Sequence, residues 1–138
     1  MLRHLSKFNP KYLVWLIKNL NHPKTVQVKY DAHVKNVSFS GNNIINKGCK
    51  VINCKIGYGT YFSVNSSLYN SKVGKFCSIG RNLSNSSSQH PSSNFVSTHP
   101  SFYSTSKQAG FSFTKKQLFN EHILIDNKYQ NIIGNDVW

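Results

Sequence analysis

The chain has 138 residues and a mass of 15.7 kDa, enough for one domain with one core. It carries 17 Lys and Arg against four acids (Asp31, Glu121, Asp126 and Asp136), a formal charge of +13. So few carboxylates exclude paired-carboxylate glycoside hydrolysis and carboxylate-rich Mg²⁺ or Ca²⁺ cages.

The excess of base points to anionic partners, although the abundance of Lys, Asn and Ile also reads as a compositional bias. Cys49, Cys54 and Cys77 form no CxxC pair. That argues against a disulfide framework or a zinc site and suits a reducing compartment. No apolar run reaches the length of a membrane span or of a signal-peptide core, so the expected location is cytoplasmic.

Residues 1–27 read as a helix and its lead-in. Asn9-Pro10 supplies an N-cap followed by proline at the first helical position, and Leu13, Leu16, Ile17 and Leu20 recur at helical spacing. Asn21 and Pro23 end it. The plain reading is a cap over the end of a core; the alternative is a peripheral membrane contact through residues 10–20, basic and bearing Trp15.

From residue 28 the period changes. Val28, Val34, Phe39, Ile45, Val51, Ile56, Phe62, Leu68, Val73 and Ile79 follow one another in steps of 5 or 6, so that positions 17 apart match. Four residues after six of them stands a small residue: Ala32, Ser38, Cys49, Thr60, Ser66 and Cys77. This is a hexapeptide rhythm. Each unit gives a short strand and a turn, three units make a coil, and stacked coils pair as parallel strands about 4.8 Å apart. Large and small residues are both expected to point inward, which makes Cys49 and Cys77 interior rather than redox-active. Gly57, Gly74 and Gly80 are expected at turns that need permissive φ angles. Residues 28–83 are thus predicted as β-helix coils.

At the next apolar position stands Asn85, and residues 84–131 carry no hexapeptide frame. A segment that long inside a compact repeat is expected to be functional. It holds two His-Pro pairs, His90-Pro91 and His99-Pro100, with Phe95, Phe102 and Tyr103 nearby. A loop histidine next to proline suits a general base, because imidazole titrates near working pH and proline restricts its backbone. His90, His99 and His122 match no compact zinc spacing, so no metal is expected. Ile133-Gly134-Asn135-Asp136-Val137-Trp138 restarts the frame, and residues 132–138 read as the start of the next coil.

The hexapeptide units, Val73-Gly74-Lys75-Phe76-Cys77-Ser78-Ile79-Gly80, the His90-Pro91 and Val96-Ser97-Thr98-His99-Pro100 segments, and the Ile133–Trp138 re-entry together resemble left-handed β-helix acyltransferases. The branch they resemble most holds xenobiotic acetyltransferases and the O-acetyltransferases of capsular and lipopolysaccharide sugars, over residues 28–138. The resemblance implies a mainly β protein: a left-handed parallel β-helix with an N-terminal capping helix and a long protruding loop. The hand comes from the resemblance alone, since periodicity gives a parallel coil without one and the general crossover rule favours the opposite.

The same resemblance implies transfer of an acetyl group from acetyl-CoA to a hydroxyl of a sugar or polysaccharide precursor, with His90 as base and no covalent acyl-enzyme. Ser97, Thr98, His99, Phe102 and Tyr103 would line the acceptor side, with a structural role as the other reading of His99. Trp138 would face the thioester end of the donor, with a coil-surface aromatic in a trimer interface as its other reading. It also implies a homotrimer with sites between subunits, and further coils beyond Trp138 that carry much of the CoA groove, so the chain reads as shortened. Acetylation of an antibiotic is the alternative within enzymes; a non-catalytic β-helix module is the alternative outside them. Nucleic acid is not an expected partner, because the lysines and aromatics form no recognised motif.

Overall fold

The computed structural model describes residues 22–85 and 88–138. The helix expected over residues 10–20, with its capping and membrane readings, lies outside the described residues. The chain divides into two compact units: Met1–Asn85 with Asn131–Trp138, and Ser86–Gln130.

The first unit is a parallel β-solenoid. Its strands in chain order are β1 (Gln27–Val28), β2 (His33–Phe39), β3 (Ile44–Ile45), β4 (Lys50–Ile56), β5 (Tyr61–Phe62), β6 (Ser67–Tyr69), β7 (Ser71–Val73), β8 (Ser78–Ile79) and β9 (Asn131–Ile133). One sheet runs β1-β3-β5-β8; the other runs β2-β4-β7-β9, with β6 also on β4. Val28 pairs with Ile45, Ile45 with Phe62 and Phe62 with Ile79, all in parallel register. Phe39, Ile56, Val73 and Ile133 form a second such row. These are the rows that the sequence spacing predicts.

The large apolar residues fill the interior. Ile45, Val51, Ile56 and Phe62 are fully buried, and Val34 and Phe39 pack half-buried against them. Four of the expected small residues, Cys49, Thr60, Ser66 and Cys77, are also fully buried. Ser38 is not: it is exposed, and Val37 takes the inward place. In the five-residue units the left-handed residue Asn36, Asn53 or Asn70 bends the strand, so the inward residue comes one position earlier, at Val37, Cys54 and Ser71.

The small interior residues also tie the coils together. Cys49 Sγ, Cys54 Sγ, Thr60 Oγ1 and Ser66 Oγ each donate to a carbonyl 14 residues on, those of Ser63, Leu68, Gly74 and Gly80. A buried polar group must find a partner, and here the partner is the backbone of the next coil.

The glycine expectation changes in mechanism. Gly57 and Gly74 do not have positive φ; they are needed because a Cβ at either would press on the carbonyl of the next coil, Gly74 O or Gly134 O. The left-handed corner positions belong to Asp31, Gly48, Asn65 and Asn82, to Asn42, Gly59, Phe76 and Asp136, and to Asn36, Asn53 and Asn70. Asparagine is among the few side chains that tolerate this conformation.

The exit to the second unit is marked by asparagines. Asn85 Oδ1 accepts from Tyr69 N (2.8 Å) and its Nδ2 donates to Tyr69 O (2.9 Å), so a side-chain amide stands in for the next strand. The ladder resumes at Asn131, paired with Ser71. Among the described residues no helix is long and apolar enough to cross a membrane.

Candidate active site in the insert

Among the described residues of the second unit, 88–130, there is little regular structure: one 3-10 turn at Pro100–Phe102 and isolated bridges between Ser88 and His122 and between Ile125 and Tyr129. Its order comes from a small core of aromatic and polar side chains. Tyr103 is fully buried, with Phe95 and Phe119 packed edge-on against its ring at centroid distances of 5.9 and 5.6 Å. Backbone bonds pin the same segment: Phe113 N donates to Ser101 O and Leu118 N to Tyr103 O.

Beside this core lies Glu121, which the sequence alone does not single out. It is 8% exposed. Its Oε2 accepts from Ser104 Oγ (2.8 Å) and Gln117 Nε2 (3.1 Å), and its Oε1 from Gln108 Nε2 (2.6 Å). Among the described residues three donors satisfy the carboxylate without a cation, and its main-chain carbonyl accepts from Gln89 N, next to His90. Glu121 is therefore an organiser of the insert. Its partners stand at irregular spacings in the sequence, so no pattern announces it.

His90 sits at the edge of this core. The residue is exposed, and its Nδ1 lies 2.7 Å from Tyr103 Oη. Tyr103 Oη also contacts Thr98 O at 3.3 Å. Burial pushes the Tyr103 phenol above its ordinary pKa, with the charge of Glu121 adding to the shift, so the phenol is neutral at physiological pH. Among the described residues His90 Nε2 has no hydrogen-bond partner.

His99 is committed differently. Ser101 N donates to its Nδ1 (3.3 Å), and Ser101 Oγ lies 2.7 Å from the same atom, so the ring caps the 3-10 turn. An Nδ1 that accepts from the backbone leaves the proton on Nε2, which makes His99 a donor there. Its ring stacks on Phe111 and meets Phe102 edge-on, and Phe102 and Phe113 lie 5.2 Å apart.

Of the residues singled out in the sequence, the structure gathers His90, Tyr103 and the Thr98 carbonyl at one point. Ser97 Oγ accepts from His99 N and shapes the loop. Phe102 is half-exposed in the outer aromatic group, while Tyr103 has no exposed surface. Trp138 belongs to the solenoid unit and is fully exposed. Among the described residues no group of three or more His, Cys, Asp or Glu is placed to hold a metal ion. Comparison with family models, with curated proteins and with solved structures finds no match.

Proposed function

We propose that the chain is an acetyl-CoA-dependent O-acetyltransferase acting on a hydroxyl of a sugar or polysaccharide precursor, with His90 as general base. The observation that carries this reading is the His90 imidazole: exposed, anchored through Nδ1 to a buried phenol, with Nε2 unpartnered among the described residues. A parallel hexapeptide solenoid interrupted by a histidine-bearing insert supports it as the arrangement shared with the acyltransferases that the sequence resembles.

In the proposed reaction Nε2 takes the proton of the acceptor hydroxyl as its oxygen attacks the acetyl carbonyl carbon. The carbon–sulfur bond then breaks, and the CoA sulfur leaves with the proton that the imidazolium returns. One base suffices and no carboxylate pair is called on, consistent with four acids in the chain. Trp138 at the donor side, a homotrimer and a cytoplasmic location belong to the same proposal.

The test is CoA thiol release from acetyl-CoA over a panel of sugar acceptors, with a phenicol antibiotic as the competing acceptor class. Acetylation of a sugar, reduced by about 10²–10⁴-fold in His90→Ala, is the expected result. Undiminished transfer by His90→Ala would remove the base assignment, and no transfer to any acceptor would remove the enzyme reading.

A further inference from the structure

The hydrogen bonds around Tyr103 bear on which nitrogen of His90 carries its proton. Among the described residues Tyr103 Oη has two hydrogen-bond neighbours, His90 Nδ1 at 2.7 Å and Thr98 O at 3.3 Å. A carbonyl oxygen can only accept, and a phenol has a single proton to give. Each contact is a full two-centre hydrogen bond only if Tyr103 donates to Thr98 O and itself accepts from a protonated Nδ1. Nε2 is then left without a proton.

We propose that Tyr103 is a positioning residue that holds neutral His90 in its Nδ1–H form, with the Nε2 lone pair presented as the proton acceptor. The proposal deepens the reading of His90 as a base and rests on it for its catalytic meaning, but the tautomer is a property of the folded chain by itself. The phenol is well placed for the task. Its ring packs edge-on in a three-ring cluster with Phe95 and Phe119, its backbone carbonyl is held by Leu118 N, and it has no exposure to water that could compete for its hydroxyl. The raised pKa of the buried phenol keeps its proton in place for Thr98 O. When Nε2 takes a proton from an acceptor hydroxyl, the resulting imidazolium keeps its Nδ1–H on Tyr103 Oη, so the ring need not turn between the proton's arrival and its departure.

The contrast with His99 is informative. Its Nδ1 accepts from Ser101 N, which places its proton on Nε2. Two histidines nine positions apart in the same insert are thus fixed in opposite tautomers, one exposing a lone pair and the other an N–H.

The experiment is long-range ¹H–¹⁵N correlation of the histidine rings in the whole chain at about pH 8.5, well above the ordinary histidine pKa. His90 in the wild type is expected as Nδ1–H and His99 as Nε2–H. In Tyr103→Phe, which keeps the ring and its packing, His90 loses its acceptor and is expected to move to Nε2–H, while His99 is unchanged. With acetyl-CoA and an accepted sugar, the same variant is expected to show kcat about 10- to 100-fold lower at unchanged KM for acetyl-CoA. Nε2–H at His90 in the wild type would overturn the proposal, and so would Nδ1–H surviving in Tyr103→Phe. Should that variant fail to fold, the wild-type spectrum decides. A chain that shows the expected tautomers but no acetyl transfer would overturn the proposed function and leave the Tyr103–His90 assignment standing.

Discussion

A Cβ added to Gly57 would lie against the carbonyl of Gly74, and one added to Gly74 against that of Gly134, so backbone of the next coil closes both positions. Gly80 has nothing within 4 Å of the same added atom and does not have positive φ. The three glycines look alike in sequence, each following an apolar residue of the repeat, yet only two are obligatory. Gly74→Ala is expected to cost about 2–4 kcal/mol, because the coils must part to admit the methyl group, whereas Gly80→Ala stays within about 0.5 kcal/mol of the parent. Urea midpoints for the two variants check this; equal shifts would mean that close approach is not what Gly74 provides. The interior thiols add a pH dependence of definite sign. Burial raises the pKa of Cys49 and Cys54 above 9.0 in the folded chain. The unfolded chain therefore releases these protons first as pH rises. Their contribution to stability is complete below pH 9.0 and is lost as pH climbs through the raised folded values. Thermal midpoints taken from pH 8 upward should fall, and the fall should lessen in Cys49→Ala, Cys54→Ala; a flat profile would contradict buried thiols.

The strands of the solenoid are short, several of them two residues long, and two residues carry little pairing energy of their own. What joins one element to the next is the corner. At one corner Asn36 Nδ2 donates to Asn53 Oδ1 (3.1 Å) and Asn53 Nδ2 to Asn70 Oδ1 (3.0 Å), a ladder of amides that rises one rung per coil. Asn53 has φ 55°, in the left-handed region. Asn53→Ala loses both rungs and must also hold a left-handed alanine, costing about 1–2 kcal/mol for the backbone beyond the lost bonds. Asn53→Gly loses the rungs alone, so in urea unfolding the alanine variant should be the less stable of the pair; the reverse order would mean that the corner does not constrain φ. This corner also shows what the sequence made legible. The rows Val28–Ile45–Phe62–Ile79 and Phe39–Ile56–Val73 could be read directly, because burial selects apolar side chains and burial recurs with the coil. The asparagines at 36, 53 and 70 recur at the same spacing in plain view, but a polar residue repeated at a corner gives no burial signal, and its reasons for being there, a left-handed backbone and an amide rung, are not visible in a hydropathy pattern. The misplacement of Ser38 has the same origin: counting residues from one apolar position to the next ignores where a left-handed residue bends the strand. In the insert His90 was legible by its type and its proline neighbour. Tyr103 was legible as an aromatic of the site but not as a buried phenol bonded to His90, and Glu121 not at all, since irregular loops bring distant residues together without any period.

The two units are held by different physics. The solenoid buries a continuous apolar column and repeats its backbone pairing from coil to coil, whereas the insert is ordered by three aromatic rings and one carboxylate with its donors. A structure built on few buried polar bonds opens more readily than one built on a packed core, so the insert is expected to be the less protected unit in hydrogen exchange. Glu121→Gln tests that separation. The new amide turns three charge-assisted bonds into neutral ones and puts an N–H₂ group where Glu121 accepts, so a partner among Ser104, Gln108 and Gln117 must turn round or go without an acceptor, at a cost of about 1–3 kcal/mol. If the units open independently, that cost falls on the insert alone. The amides of Gln89, Phe113 and Leu118, which bond to Glu121 O, Ser101 O and Tyr103 O, should exchange about 5- to 150-fold faster. Those of Lys50 and Ser63, which bond to Ser66 O and Ile79 O across the coils, should keep their parent rates. Equal acceleration in both sets would mean that the chain opens as one cooperative body. Acceleration in the insert alone would mean that the loops carrying His90 can be loosened or stiffened without loosening the coils, through the bond from Gln89 N to Glu121 O and the donors around the Glu121 carboxylate.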